Sequence, residues 1–178
     1  MFLFNYLDFK VVNLISFNTY ILNIIETFYT AFAAQDPEGM VACYHKDIHF
    51  EDPGFGVLKG ERAGQMWRML CGSQKGKEFH VTFSDITYQE EKGTAHWEAQ
   101  YNFSKTGRKV HNKIDASFEM KDGKIIKHID SFNLHSWAGQ ALGFKGKLLG
   151  GTGFFKKKLH AQTKQALDAF IAKQNESL

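Results

Sequence analysis

The feature that constrains this 178-residue chain most is the stretch from Phe79 to Leu134. Four blocks, 79–88, 94–104, 110–121 and 125–134, are separated by Lys92-Gly93, Thr106-Gly107 and Asp122-Gly123. Glycine supplies the backbone freedom that tight hairpin turns need, so the stretch predicts a four-stranded antiparallel meander. In the third block Ile114, Ala116, Phe118 and Met120 form one row. His111, Lys113, Asp115, Ser117 and Glu119 form the other. Strand side chains alternate between faces, so the apolar row is expected to face a covered interior, which favours the outer face for Asp115 and leaves open a register in which Asp115 rather than Ala116 points inward.

Helical spacing precedes the strands. Ile21, Ile24, Ile25, Phe28 and Phe32 predict a helix over 19–34. Asp36 is a suitable N-cap and Pro37 a suitable first residue for a short helix running to about residue 44. Ile48-His49-Phe50 and Val57-Leu58-Lys59 read as short strands. Residues 60–71 read as a third helix, with Met66, Trp67, Met69 and Leu70 on its apolar side. Helices segregated ahead of a sheet define an α+β domain. The expected organisation is an N-terminal extension (1–18), one domain (19–135) and a C-terminal arm (136–178). Gly139, Gly143, Gly146, Gly150, Gly151 and Gly153 make the first half of the arm loop-like. Leu159, Thr163, Ala166, Leu167, Phe170 and Ile171 form an amphipathic stripe in the second half.

Composition narrows the partners. Two cysteines, Cys43 and Cys71, make no disulfide framework and fit a reducing, cytoplasmic setting. The apolar residues 1–18 are interrupted by Asp8 and Lys10, and Asn13, Asn18 and Asn23 break up the uncharged stretch 11–25. Neither a secretory signal nor a membrane span is expected there. The arm holds seven lysines against Asp168 and Glu176, a net +5, so the other 135 residues sum to −2 of the chain's +3. Lys156–Lys158 is either a contact for nucleic acid or anionic lipid, or the solvated face of the terminal helix. The solvated face is the simpler reading, so neither nucleic acid nor a membrane is an expected partner; a membrane-surface role that uses the apolar N-terminus and the basic arm together is the weakest alternative. Seventeen Phe, six Tyr and three Trp fill a bulky core or line a cavity for a flat apolar ligand.

Several residues are candidates for chemistry. Asp52 closes an apolar strand just before the Pro53-Gly54 turn. It either caps that turn or serves as a proton acceptor facing an apolar pocket. Asp130 shares a strand face with His128 and Phe132. A carboxylate in that setting needs a partner or a purpose, and His128 either shares its proton or pairs with it structurally. Asn112 lies on the apolar face of its strand, where its amide donates to a ligand carbonyl or is satisfied by backbone. Trp97 and Tyr101 share a face, lining a pocket or filling a core. Cys43, His45 and His49 straddle a helix-to-strand junction without a completing cluster, so no metal is expected. Gly150-Gly151-Thr152-Gly153 lacks the Lys-Ser/Thr ending of a phosphate loop.

This order of elements, with Phe50-Glu51-Asp52-Pro53 after the first strand and Asp122-Gly123-Lys124-Ile125 before the last, resembles the nuclear-transport-factor-two-like superfamily. That superfamily includes ketosteroid isomerases, SnoaL-like polyketide cyclases and limonene epoxide hydrolase. The resemblance covers roughly residues 20–135. It implies a cone-shaped α+β barrel, three helices on a curved antiparallel sheet, whose outer face commonly pairs two copies into a homodimer. Asp52 stands where ketosteroid isomerases place their base. The oxyanion-binding Tyr of those enzymes falls on Phe28, and the neighbouring Tyr29 is turned about 100° away on a helix. Asp130 stands where the epoxide hydrolase places a water-activating Asp, but that enzyme's Arg and second Asp fall on about Trp97 and Ala99. The resemblance therefore implies a cofactor-independent enzyme acting on a small apolar substrate with a carbonyl. Asp130 or Asp52 moves the proton, His128 tunes it and Asn112 holds the oxygen. Trp97, Tyr101, Tyr29 and Phe132 contact the substrate. The alternative is a non-catalytic binding or dimerisation module of the same fold.

Overall fold

The computed structural model describes residues 24–176. The first helix, α1, occupies 24–33, and the expected extension over 1–18 lies outside the described residues. Helix α2 is Pro37–Ala42, capped by the Asp36 side chain, which accepts from the Gly39 amide at 3.0 Å. Strand β1 (Tyr44–Asp52) and β2 (Gly56–Lys59) form a hairpin around the Pro53-Gly54 turn. Helix α3 is Glu61–Gln74. The meander follows as β3 (Phe79–Gln89), β4 (Lys92–Phe103), β5 (Arg108–Lys121) and β6 (Lys124–Ser131).

The six strands form one curved sheet that does not close, in the order β2-β1-β6-β5-β4-β3. Only β1 and β6 run parallel; every other pair is antiparallel. The helices pack on the concave face, where Phe28, Phe50, Met66, Trp67, Ile114 and Phe118 belong to one continuous core. Alternation along β5 is as the sequence requires: Ile114, Ala116, Phe118 and Met120 are buried, while Asp115 is exposed on the outer face.

Several expected boundaries move, with β1 extending well beyond 48–50 and β4 and β5 each starting two residues early. The second helix stops at Ala42, because Tyr44 already belongs to β1, aligned with Ile125 of β6. Helix α3 continues to Gln74. Strand β6 ends at Ser131, because the Asn133 side chain accepts from the Ser136 amide at 2.9 Å and starts a helix.

The larger correction concerns the arm. Its glycine-rich half is not a loop but two helices, α4 (Leu134–Leu142) and α5 (Phe144–Leu149), followed by the long α6 (Gly153–Glu176). Glycine usually weakens a helix. Here it lets two helices touch backbone to backbone: a Cβ on Gly146 would collide with the Ala138 carbonyl. Helix α6 returns across the mouth of the cone, anchored by buried Leu167 and by the Arg62–Asp168 ion pair at 2.7 Å.

Candidate active site

His128 and Asp130 lie two residues apart on β6 and project to the same side of the sheet. Pairing of β6 with β1 and β5 sets Phe50 and Phe118 beside His128. The imidazole is wholly buried, with ring centroids of Phe118 at 4.4 Å, Phe50 at 5.2 Å, Phe28 at 5.3 Å and Trp67 at 6.2 Å. Both nitrogens of a ring so placed need partners. Nδ1 lies 2.7 Å from the Tyr44 hydroxyl and Nε2 lies 3.0 Å from Asp130 Oδ1.

Two indoles close the chain. Trp67 donates to the Tyr44 hydroxyl oxygen at 2.8 Å, and Trp97 donates to Asp130 Oδ1 at 3.0 Å. Because Trp67 fills an acceptor site on Tyr44, the phenolic proton is free to go to His128 Nδ1. The proton on Nε2 then goes to Asp130, and each donor in the chain meets an acceptor. Burial pushes the Tyr44 phenol well above its ordinary value, which keeps it protonated as this order requires. The network runs Trp67, Tyr44, His128, Asp130, Trp97, and all five side chains are buried.

Asp130 is the ionisable member of the network that meets open space. It is 5 % exposed and lines a cavity of about 340 Å³. That volume suits a small ligand of a few rings. Phe32, Phe50, Trp67, Phe79, Trp97 and Phe132 supply apolar walls, and Leu159 and Thr163 of α6 cover one side. Asp52 lines the same cavity from the end of β1. The Pro53-Gly54 turn bends the chain so that the Gly54 and Phe55 amides both donate to Asp52 Oδ1, the former at 3.0 Å. Desolvation by the apolar walls dominates. It lifts this carboxyl from the ordinary 3.8 to about 7, against the downward pull of the backbone donors and with a further push from Asp130.

Asn112, Trp97, Tyr101 and Phe132 also line the cavity. The Asn112 side chain makes no hydrogen bond with a described residue, so its amide is available to a ligand. The Tyr101 hydroxyl accepts from Trp137 Nε1 at 2.9 Å. Tyr29 is placed differently from the expectation. It is wholly buried, stacked on Phe83, and does not line the cavity; its hydroxyl has no hydrogen-bond partner among the described residues. The helical turn that sets Phe28 toward His128 points Tyr29 at the sheet instead. His128 likewise does not line the cavity and reaches it only through Asp130. Trp97 and Ala99 provide no Arg or Asp, so the water-activating set of an epoxide hydrolase is absent at those positions. No group of three or more His, Cys, Asp or Glu among the described residues is arranged to hold a metal ion.

Sequence reasoning misses Tyr44 and Trp67. Local pattern places Tyr44 at a helix end and Trp67 on a generic apolar face; the parallel β1–β6 pairing brings Tyr44 to His128, and the packing of α3 brings Trp67 to both. It also misses the contribution of the arm. His160 Nε2 lies 3.0 Å from the Pro53 carbonyl and Thr163 donates to the Gly54 carbonyl at 3.1 Å, so α6 is fastened to the turn that holds Asp52.

Comparison with known proteins agrees with this fold. The SnoaL-like domain family matches residues 25–128, more than half of the chain. This chain belongs to that family. No curated protein matches its sequence. Among solved structures it is similar to TerC co-crystallized with polyporic acid, with 17% identity, TM-score 0.58, and coverage of 69% of this chain and 98% of that one. It is also similar to an LEH-like epoxide hydrolase of M. tuberculosis, with 22% identity, TM-score 0.56, and coverage of 75% and 92%. A candidate polyketide cyclase from Xanthomonas campestris pv. campestris is a third, with 18% identity, TM-score 0.57, and coverage of 70% and 98%. At these identities the likeness is one of fold.

Proposed function

We propose that this chain is an acid–base enzyme for a small, apolar substrate with a carbonyl group, with Asp130 as the proton acceptor. One observation carries the reading: two carboxyl groups line one apolar cavity in unlike surroundings. Such a pair divides into base and acid. Both hydrogen bonds to Asp130 use Oδ1, which leaves Oδ2 for a substrate proton. The raised Asp52 carboxyl keeps a proton up to neutral pH and so donates to an oxygen on which charge develops. The unpaired Asn112 amide is a second donor. His128, held by Tyr44 and boxed by aromatic rings, fixes the direction of Asp130 and acts as a positioning residue. The ketone itself delocalises the charge left behind, so the step calls for no cofactor.

The test is deuterium exchange beside the carbonyl of a panel of cyclic and aromatic ketones, followed by NMR. The wild-type chain is expected to speed exchange of at least one compound. Asp130→Asn is expected to slow it about 10³-fold, the usual worth of a general base, without loss of folding. A panel exchanged no faster than in buffer, or full exchange by the Asp130→Asn variant, would return the chain to the class of binding modules.

A further inference from the structure

Helix α5 is amphipathic in reverse. Its buried side is Gly146, continued one turn on by Gly150 just past its end, where a Cβ would meet the Ala138 side chain at 2.5 Å. These glycines press the helix onto α4 and turn its large residues outward. Phe144 is 80 % exposed and Leu148 67 %, and at the start of α6 Phe154 is 71 % exposed. Large apolar side chains so exposed mark a contact surface.

The surrounding charge says what it contacts. Lys145, Lys147, Lys156, Lys157 and Lys158 are all exposed, and none pairs with an acidic group among the described residues. From residue 131 to 167 the chain holds six lysines and no Asp or Glu. A second copy docked here would set lysine against lysine. Residues 1–18 carry only Asp8 and Lys10, and so bring no net negative charge. Nucleic-acid phosphates would match the lysines but leave Leu148 and Leu149 without an apolar phase. An anionic bilayer offers both, with phosphates at the level of the lysines and acyl chains beneath. No described helix is long and apolar enough to cross a membrane, so the contact is interfacial.

We propose that the corner formed by α5 and the start of α6 is a docking surface for anionic lipid bilayers. The same α6 lines the cavity through Leu159 and Thr163. Docking therefore brings the rim of the cavity to the layer where apolar molecules dissolve.

Co-sedimentation of the full chain with phosphatidylcholine vesicles, with and without phosphatidylserine, tests this. Binding is expected to require the anionic lipid and to weaken as salt rises. Phe144→Ser with Leu148→Ser, and separately Lys156→Glu, Lys157→Glu and Lys158→Glu together, are each expected to lower partitioning about tenfold or more. Circular dichroism and Tm should not change, since the altered side chains are exposed. Equal binding to both vesicle types, no binding, or wild-type binding by either variant overturns the proposal. So does displacement of the vesicles by single-stranded RNA, or loss of a dimer in light scattering on replacing Phe144 and Leu148.

Discussion

The two faces of the sheet carry the same chemical motif in opposite surroundings. Inside, His128 meets Asp130 at 3.0 Å, with both residues buried. Outside, His96 meets Asp115 at 2.8 Å and Glu98 at 3.3 Å, and Lys113 reaches Glu98 at 3.0 Å. The outer cluster is wet. Lys113 first, then His111 and His96, hold the Glu98 carboxyl down to about 2, and Asp115 raises the His96 imidazole. Charges stabilise one another there in the ordinary way, screened by water. At Asp52, which lines the inner cavity beside Asp130, desolvation governs instead and lifts the carboxyl to about 7. Similar distances thus stand in unlike surroundings, and the covering layer of helices makes the difference.

The sharpest way to break this contrast is to exchange equivalent carboxylates. Asp130→Asn is expected to cost about 10³ in the proton-exchange rate, whereas Asp115→Asn leaves the rate unchanged. A matching loss from the outer variant would show that the cavity is not the site. The next effect concerns Asp52. Its pKa is raised on folding, so between about pH 4 and 7 the native state holds a proton that the unfolded chain has released, and stability falls as pH rises. Asp52→Asn removes that penalty. It is expected to raise stability at pH 8 by up to about 4 kcal/mol, for a shift of about three units, and to change little at pH 4. Urea unfolding at the two pH values measures it. The same ionisation removes the acid, so the exchange rate of the wild-type chain should decline as pH rises through about 7.

Replacing the histidines sharpens the contrast further. His128→Ala strips Tyr44 and Asp130 of their partners and opens a void, at a cost of about 3 kcal/mol. The outer His96→Ala should cost well under about 1 kcal/mol. Its effect should be present at low pH and fade as pH rises through the raised His96 value. Comparable losses from the two would mean that burial is not what separates the faces. Glu98→Gln is the smallest change, visible only at low salt as a slight fall in Tm.

The strands and the inward direction of Asp130 are legible in the sequence because alternation is local: residues two apart share a face whatever the rest of the chain does. Asp52 is legible for a similar reason, since Pro53 and Gly54 leave its position little choice. Tyr44 and Trp67 are not. Tyr44 joins His128 only when β1 lies parallel to β6, a strand far along the chain, and Trp67 only when α3 packs over both, and no local pattern encodes either. The nearness of Tyr29 to Phe28 suggests a shared site, which one step of a helix undoes. The arm misleads for a third reason. Glycine reads as a break when its neighbours are unknown, and as a close-packing surface once Ala138 lies against Gly146.

His160 and Thr163 grip the carbonyls of the very turn whose amides hold Asp52. The cover of the cavity and the Asp52 carboxyl therefore share one hinge point. A substitution in α6 that widens the opening for bulkier compounds also loosens the turn and shifts the strength of the acid. Under the proposed acid–base role, size selectivity and pH optimum are thereby tied.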